Sequence, residues 1–444
     1  MNNFNFKLYP KYKDSGVKWI GEIPEEWGIQ KIKHLTENLD GKRIPISAEK
    51  REEGKIPYYG ATGVLDYVKD FIFDKELLLI GEDGAPFFEP FKDVAYIING
   101  KSWVNNHAHV LRVIGKNSIK WLCYYLNSYD YSTVIKGSTR DKLNQDQLSN
   151  MVVIKILINE QTFIANFLEK NIGRFNNLIE KDKKLIELLK EKRIALINHA
   201  VTKGLPVRRI QAGIDPNVKM KDSGIEWIGE IPERWEARRL KFILGNKKNS
   251  IKTGPFGSQL TIDEMYDSKY KVYNQKNVIK KDEKLGENYI SSKKFKELIA
   301  FKTSPSDLLI TTRGTIGRTL RLSEVAEIGV LHPCLMKINT NKEMILDRYI
   351  ELIIEDSDLV IIQLKLQSCA TTIDVIYQDN LKEINIFIPS IDEQRTIIGY
   401  LEKQTLKIDK TIQKIEQKIK LLEEYKKSLI HHAVTGKIDV RGVC

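Results

Sequence analysis

Fifteen residues near the start of the chain return, nearly unchanged, in its middle. Lys13-Asp14-Ser15-Gly16-Val17-Lys18-Trp19-Ile20-Gly21-Glu22-Ile23-Pro24-Glu25-Glu26-Trp27 comes back as Lys221-Asp222-Ser223-Gly224-Ile225-Glu226-Trp227-Ile228-Gly229-Glu230-Ile231-Pro232-Glu233-Arg234-Trp235, with twelve of fifteen positions identical at an offset of 208. A second matched pair lies further on. Ile158-Asn159-Glu160-Gln161 running to His199-Ala200-Val201-Thr202 is answered by Ile391-Asp392-Glu393-Gln394 running to His432-Ala433-Val434-Thr435, at an offset of 233. Self-similarity on this scale means one structural plan built twice. The matched parts are scaffold, and the unmatched interior, 25 residues longer in the second copy, is where the halves do different jobs.

Residues 168 to 196 carry apolar side chains at alternating spacings of four and three: Leu168, Ile172, Phe175, Ile179, Ile186, Leu189 and Leu196, with Asp182 and Arg193 in the two remaining places. The later copy gives Leu401, Ile408, Ile412, Ile415, Ile419, Leu422 and Leu429, interrupted by Thr405 and Lys426. A mean spacing of 3.5 residues is a coiled-coil seam. An amphipathic helix folded onto its own domain is the plainer alternative. Length argues against it, since about 35 residues at 1.5 Å each span about 50 Å. Two such helices can pair antiparallel and bury each other's seam, with the polar seam residues fixing register. Their charged flanks could instead serve an outside helical partner.

The regions between, roughly 28–157 and 236–390, mix turns with short β-rich runs such as Lys55–Gly60, Phe71–Phe73, Tyr96–Gly100, Lys271–Tyr273 and Ile384–Ile388. The fold class is therefore α+β. The expected segmentation is a mixed domain over 1–157, a helical spacer over 158–203, a linker over 204–220, a second mixed domain over 221–390, a second helical spacer over 391–436 and a tail over 437–444. The linker contains Gly204, Pro206, Gly213 and Pro216 and no periodicity. Three weaker echoes link the mixed domains. Leu78-Leu79-Ile80 with Gly84 answers Leu308-Leu309-Ile310 with Gly314, His107–Val113 answers His332–Ile338, and Gln145-Asp146 with Leu148 answers Gln378-Asp379 with Leu381.

Lys plus Arg number 71 against 59 Asp plus Glu, a net charge of +12 that favours a polyanionic partner, with a lysine-rich proteome as the bland alternative. Cys123, Cys334, Cys369 and Cys444 are scattered, which predicts a reducing, cytoplasmic setting and no zinc ribbon. No signal-peptide pattern opens the chain, and no apolar run is long enough to span a membrane. Phosphate-loop, zinc-protease and adenine-methyltransferase motifs are all lacking, so no catalytic residue, metal site or cofactor site is expected. His107 and His109 would share one strand face, a pair better suited to hydrogen bonding or DNA contact than to a metal.

The diverged interiors do hold loops that combine Gly with cationic, amide and hydroxyl side chains. Such residues can grip phosphates or read base edges. The candidate DNA-contacting residues are Lys42, Arg43, Tyr58, Tyr59, Asp83, Lys101, Asn105, Asn106, His107, Ser138, Thr139, Arg140 and Lys142 in the first half. In the second half they are Lys252, Ser258, Gln259, Asn274, Gln275, Lys276, Asn277, Arg313, Thr315, Arg318, Thr371 and Thr372. The loops at Gly84 and Gly314 are expected to hold equivalent places with different chemistry: Asp83 suits a cytosine amino group and Arg313 the O6 and N7 of guanine. A carboxylate orienting a neighbouring arginine is the rival reading of Asp83.

On these residues the chain resembles the specificity subunits of type I restriction-modification systems. The resemblance rests on Gly21-Glu22-Ile23-Pro24 with Trp27, Gly229-Glu230-Ile231-Pro232 with Trp235, and Pro389-Ser390-Ile391 with Glu393-Gln394 and its copy Ile158 with Glu160-Gln161. Thr253-Gly254-Pro255-Phe256-Gly257-Ser258 and Trp103-Val104-Asn105-Asn106-His107 look like motifs of the recognition domains. The resemblance implies two target recognition domains reading a bipartite, asymmetric double-stranded DNA target, held apart by a coiled-coil spacer. It implies as partners two modification (methyltransferase) subunits, which carry S-adenosylmethionine, and restriction (motor-nuclease) subunits, with no catalysis by this chain itself. A specificity chain serving a fused methylating-cleaving partner, or a helical adaptor without base readout, are the competing functions.

Overall fold

In a computed structural model, which describes residues 6–136, 141–205, 219–245, 249–266, 269–368 and 374–442, the two seams become single long helices, Ile158–Lys203 and Ile391–Val434. Most seam residues are buried: Leu168, Ile172, Ile179, Ile186, Leu401, Ile408, Ile412, Ile415 and Leu429. Phe175, Leu189, Leu196, Ile419 and Leu422 are half-buried. The chain divides into two compact units, Met1–Lys184 with Lys414–Cys444 and Leu185–Gln413. Each long helix thus contributes one half to each unit. Among the described residues no helix is long and apolar enough to cross a membrane.

In the first unit the helix halves run antiparallel. Phe175 meets Tyr425 edge-on at 5.4 Å, and the buried seam residue Asp182 pairs with Lys418 at 2.8 Å. One four-stranded sheet has the spatial order Thr36–Asn38, Ala108–Val113, Leu77–Gly81, Ala95–Ile98. A second has the order Gly63–Val68, Glu53–Gly60, Lys101–Val104, Phe73–Asp74 and contains one parallel pair, between Glu53–Gly60 and Lys101–Val104. The first repeat block folds as a short hairpin, Tyr12–Asp14 against Glu22–Pro24. Its Trp27 is buried and donates its indole N–H to Glu160 Oε2 at 3.0 Å. The main core joins this block to Leu429, Ala433 and Val434 of the second long helix.

The second unit repeats the plan. Its sheets have the orders Ile251–Thr253, Leu335–Ile338, Leu308–Thr311, Thr319–Arg321 and Tyr289–Ile290, Tyr270–Tyr273, Gly329–Leu331, Lys302–Thr303. The parallel pair recurs, now between Tyr270–Tyr273 and Gly329–Leu331. The hairpin Met220–Asp222 against Glu230–Pro232 carries Trp235 into a core with Ile197, Ala200 and Val201 of the first long helix. Here Glu393 pairs with Arg234 at 2.8 Å, and the Trp235 indole N–H has no hydrogen-bond partner among the described residues. The helix pair is again antiparallel, with Arg193 on Asp409 at 3.4 Å.

The repeated Glu-Gln pairs have a structural use. Gln161 Oε1 accepts the N–H of Ser118, which caps the helix Ile119–Asn127, at 2.8 Å; Gln394 Oε1 accepts that of Leu346, which precedes the helix Asp347–Glu351, at 2.8 Å. Each glutamine straps the start of a long helix to its own unit.

One echo needs correction. Ala108 pairs with Gly81, and Leu335 with Thr311. The partner of His107 in the second unit is therefore Cys334, not His332. A slip of two residues keeps every side chain on its face, so an alternating pattern does not reveal it.

Candidate nucleic-acid interface

The loops singled out by composition gather at one end of the sheets within each unit, on a shared backbone frame. In the first unit Asn105 N–H donates to the Tyr59 carbonyl at 3.0 Å, Glu82 N–H to the His107 carbonyl at 2.8 Å, and Leu143 N–H to the Glu82 carbonyl at 2.8 Å. In the second, His332 donates to Tyr273 at 2.9 Å, Thr312 to Cys334 at 3.0 Å, and Ile376 to Thr312 at 2.9 Å. Isolated bridges match as well, Asp83 with Lys142 and Arg313 with Val375. Three equivalent hydrogen bonds thus hold Asp83-Gly84 and Arg313-Gly314 in one place. Both glycines have positive φ, 68° and 66°, which suits glycine and turns the loop sharply.

The same frame is filled by different chemistry. In the first unit a charged cluster lies beneath the loop. The Arg43 guanidinium donates to Glu82 Oε2 at 2.6 Å, the Ala108 carbonyl at 2.9 Å and the Asp40 carbonyl at 3.1 Å. His109, fully buried, faces Asp40 Oδ2 at 2.6 Å through Nδ1 and the Leu143 carbonyl at 2.7 Å through Nε2. Each ring nitrogen therefore has a partner of its own. Burial alone would raise the Asp40 pKa, but the His109 hydrogen bond and charge, the Val110 amide and Arg43 together hold it below the usual value. Lys142 reaches Glu82 Oε1 at 3.1 Å, and His107 pairs with Asp83.

Asp40, Glu82 and His109 lie close enough to share a cation. Arg43 and Lys142 already neutralise the carboxylates, and both His109 nitrogens are engaged, so the donor set does not fit a metal. In the second unit the matched places hold Thr312 for Glu82 and Met336 for His109, and the frame needs no ions.

A family model described as Type I restriction modification DNA specificity domain matches residues 24–189. The chain is similar to type I restriction-modification specificity subunits. It is similar to a type I restriction enzyme specificity subunit from Haemophilus influenzae, 25% identical over 85% of this chain and 87% of that one. It is also similar to the MjaVIII specificity subunit of Methanocaldococcus jannaschii, 22% identical over 97% of this chain and 98% of that one. The fold matches a chain from a structural study of complex assembly and conformational transition of the type I R-M system, with a TM-score of 0.62 at 12% identity over 93% of this chain and 98% of that one.

Not every candidate residue faces outward. Arg43 is turned into the cluster just described. Tyr58 is buried, and its hydroxyl oxygen accepts the Ile46 N–H at 3.1 Å. Asn105 is buried, with Oδ1 accepting the His107 N–H at 2.8 Å. Asn277 is buried, accepting from Asn274 N–H at 3.0 Å and donating to the Asp282 carbonyl at 3.0 Å. These four hold loops rather than present a surface.

Lys42, Asn106 and Lys142 are exposed, and Tyr59, Asp83 and His107 half-buried. Lys101 is exposed but begins the strand whose far end leads to Asn105. In the second unit Ser258, Gln259, Lys276, Arg313, Thr315 and Arg318 are exposed, and Lys252, Asn274 and Gln275 half-buried. Gln275 Nε2 donates to the Arg313 carbonyl, tying two of the loops together. Ser138, Thr139, Arg140, Thr371 and Thr372 lie outside the described residues. The sequence reading picked out His109 as a hydrogen-bonding residue but missed Asp40 and Glu82, its partners in the support of the first loop. A buried ionic cluster drawn from three separate strands and turns leaves no spacing to find.

Proposed function

We propose that this chain is the DNA-reading, non-catalytic subunit of a type I restriction-modification complex, each unit reading one half of a split, asymmetric target. The observation that carries the reading is the pair of matched loops: an identical hydrogen-bonded frame presents Asp83 and His107 in one unit and Arg313 with Gln275 in the other. A conserved support with exchanged outward groups is what two readers of different sequences require. The two long helices set the gap between the half-sites. Two modification subunits dock on the helical scaffold and bring S-adenosylmethionine, and restriction subunits join that core.

Selection from randomised duplexes by the full chain tests the reading. The expected product is two short specified blocks separated by an unspecified gap. Arg313→Ala should relax one position of one block, at a cost of about 1–3 kcal/mol in binding. Equal weakening on every sequence would make Arg313 a phosphate contact, and a pool that never converges would leave a helical adaptor without base readout.

A further inference from the structure

Asn38 faces Leu111, and Ile251 faces the matching Ile338. Counted from these outer strands, the place that Arg43 takes in the first unit falls to Phe256 in the second. Arg43 turns inward; Phe256 turns out and is 81% exposed. The loop that carries it is strapped on both sides. Ahead of it, Gly254 donates its N–H to the Leu335 carbonyl at 2.8 Å, and a Cβ on Gly254 would lie 2.2 Å from the His332 oxygen. Pro255 is buried, and its ring fixes φ. Behind it, the Phe256 N–H donates to Gln259 Oε1 at 3.0 Å and the Gln259 N–H to the Phe256 carbonyl at 2.8 Å, closing a turn over Gly257–Gln259.

A large ring held in water by a loop that cannot fold it back asks for a partner that buries it. The neighbouring loops define that partner's chemistry. His332–Cys334 touches the Phe256 loop through Gly254 and the Arg313 loop through Thr312, and Gln275 ties the Arg313 loop to exposed Lys276. The rim is cationic and suits a polyanion. Against a nucleic acid, an apolar ring finds apolar surface only on base faces and thymine methyl groups.

We infer that Phe256 is a wedge that enters the base stack of the half-site read by the second unit and partly unstacks one base step. The half-site read by the first unit, where Arg43 is held inward, is not opened this way. The inference rests on the DNA-reading function proposed above. A wedge adds specificity without hydrogen bonds, because pyrimidine–purine steps unstack most easily.

The test uses the full chain and duplexes it selects from a randomised pool, with 2-aminopurine placed at successive positions. Binding of the unaltered chain should brighten the probe at one step of one half-site only. Phe256→Ala should abolish the brightening and weaken binding about tenfold. The slope of affinity against salt should stay unchanged, since no phosphate contact is lost. Phe256→Leu should restore part of both effects, and unchanged melting temperatures would confirm that the variants fold. Brightening and affinity that survive Phe256→Ala would overturn the wedge. So would weaker binding by Phe256→Ala on a target that the unaltered chain never brightens, which would assign the ring to a thymine methyl in an undistorted groove. A pool that converges on no sequence would instead defeat the DNA-reading function itself.

Discussion

A guanidinium buried as deeply as that of Arg43 is tolerated because its N–H groups meet acceptors, and removing one partner strands the other charges. Arg43→Ala should therefore cost about 3–5 kcal/mol in urea unfolding of the full chain. A loss below about 1 kcal/mol would mean that Lys142 or water re-satisfies Glu82 and Asp40. Exposed Arg313 offers the opposite case, a side chain whose removal should show in binding and not in stability.

His431 gives a pH signature. Burial first, then the charges of His432, Lys437 and Lys427, lower its pKa from 6.5 to about 4. The fold favours the neutral ring, so the unfolded chain takes up the proton first. Stability should fall as pH drops below about 6.5 and level off near 4, a loss of about 1–3 kcal/mol. His431→Gln should melt with a shallower dependence between pH 7.5 and 5, and identical slopes would refute the assignment. At this scale the sequence was a partial guide. Residue type marked Arg43, Tyr58, Asn105 and Asn277 as contacts, but direction depends on partners such as Glu82 and Asp282, distant or unforeseeable along the chain.

The long helices were the most legible elements, because a 3.5-residue repeat sustained over four turns or more has few other readings. Strand identity was legible in places: Lys55–Gly60 lies within Glu53–Gly60, and Lys271–Tyr273 within Tyr270–Tyr273. Sheet order was not, since it depends on pairings between segments far apart. The growth of the repeat offset can now be located. It rises from 214 at Tyr59 and Tyr273 to 230 at Asp83 and Arg313, and the added residues form the helices Gln275–Lys280 and Ser292–Glu297. The insertion brings Gln275 to the Arg313 loop. The spacer proposal belongs to the helices. Deleting one heptad within 172–193 together with one within 405–426 should shorten the gap between selected half-sites, as read by sequencing the selected pool. An unchanged gap would leave the helices a docking role alone.

At the scale of the whole molecule, each recognition domain is finished by the far end of a long helix. Gly436, two residues past the helix end at Val434, has φ 74°, and a Cβ there would lie 2.5 Å from Pro24 Cδ and 2.6 Å from Trp27 Cζ3. Beyond it, Lys437 donates to the Glu22 carbonyl, and Asp439 N–H to that of Lys7 at 2.7 Å. Gly436→Ala should destabilise the first unit by about 1–3 kcal/mol through overpacking. Hydrogen exchange should show faster opening at Tyr12–Val113 and no change at Leu308–Ile338; a change shared by both would mean that the units unfold together.

The same clasp has a consequence for synthesis. Domains made on a ribosome usually mature in the order of the chain, at roughly 5–20 residues per second. Leu185–Gln413 is continuous and can close as soon as it emerges, whereas Met1–Lys184 must wait for residues from Lys414 onwards. For tens of seconds the nascent first domain holds Trp27 and Leu168 without their covering helix. The domain translated first is the last to be completed, and until then it is the part of the chain most in need of a chaperone.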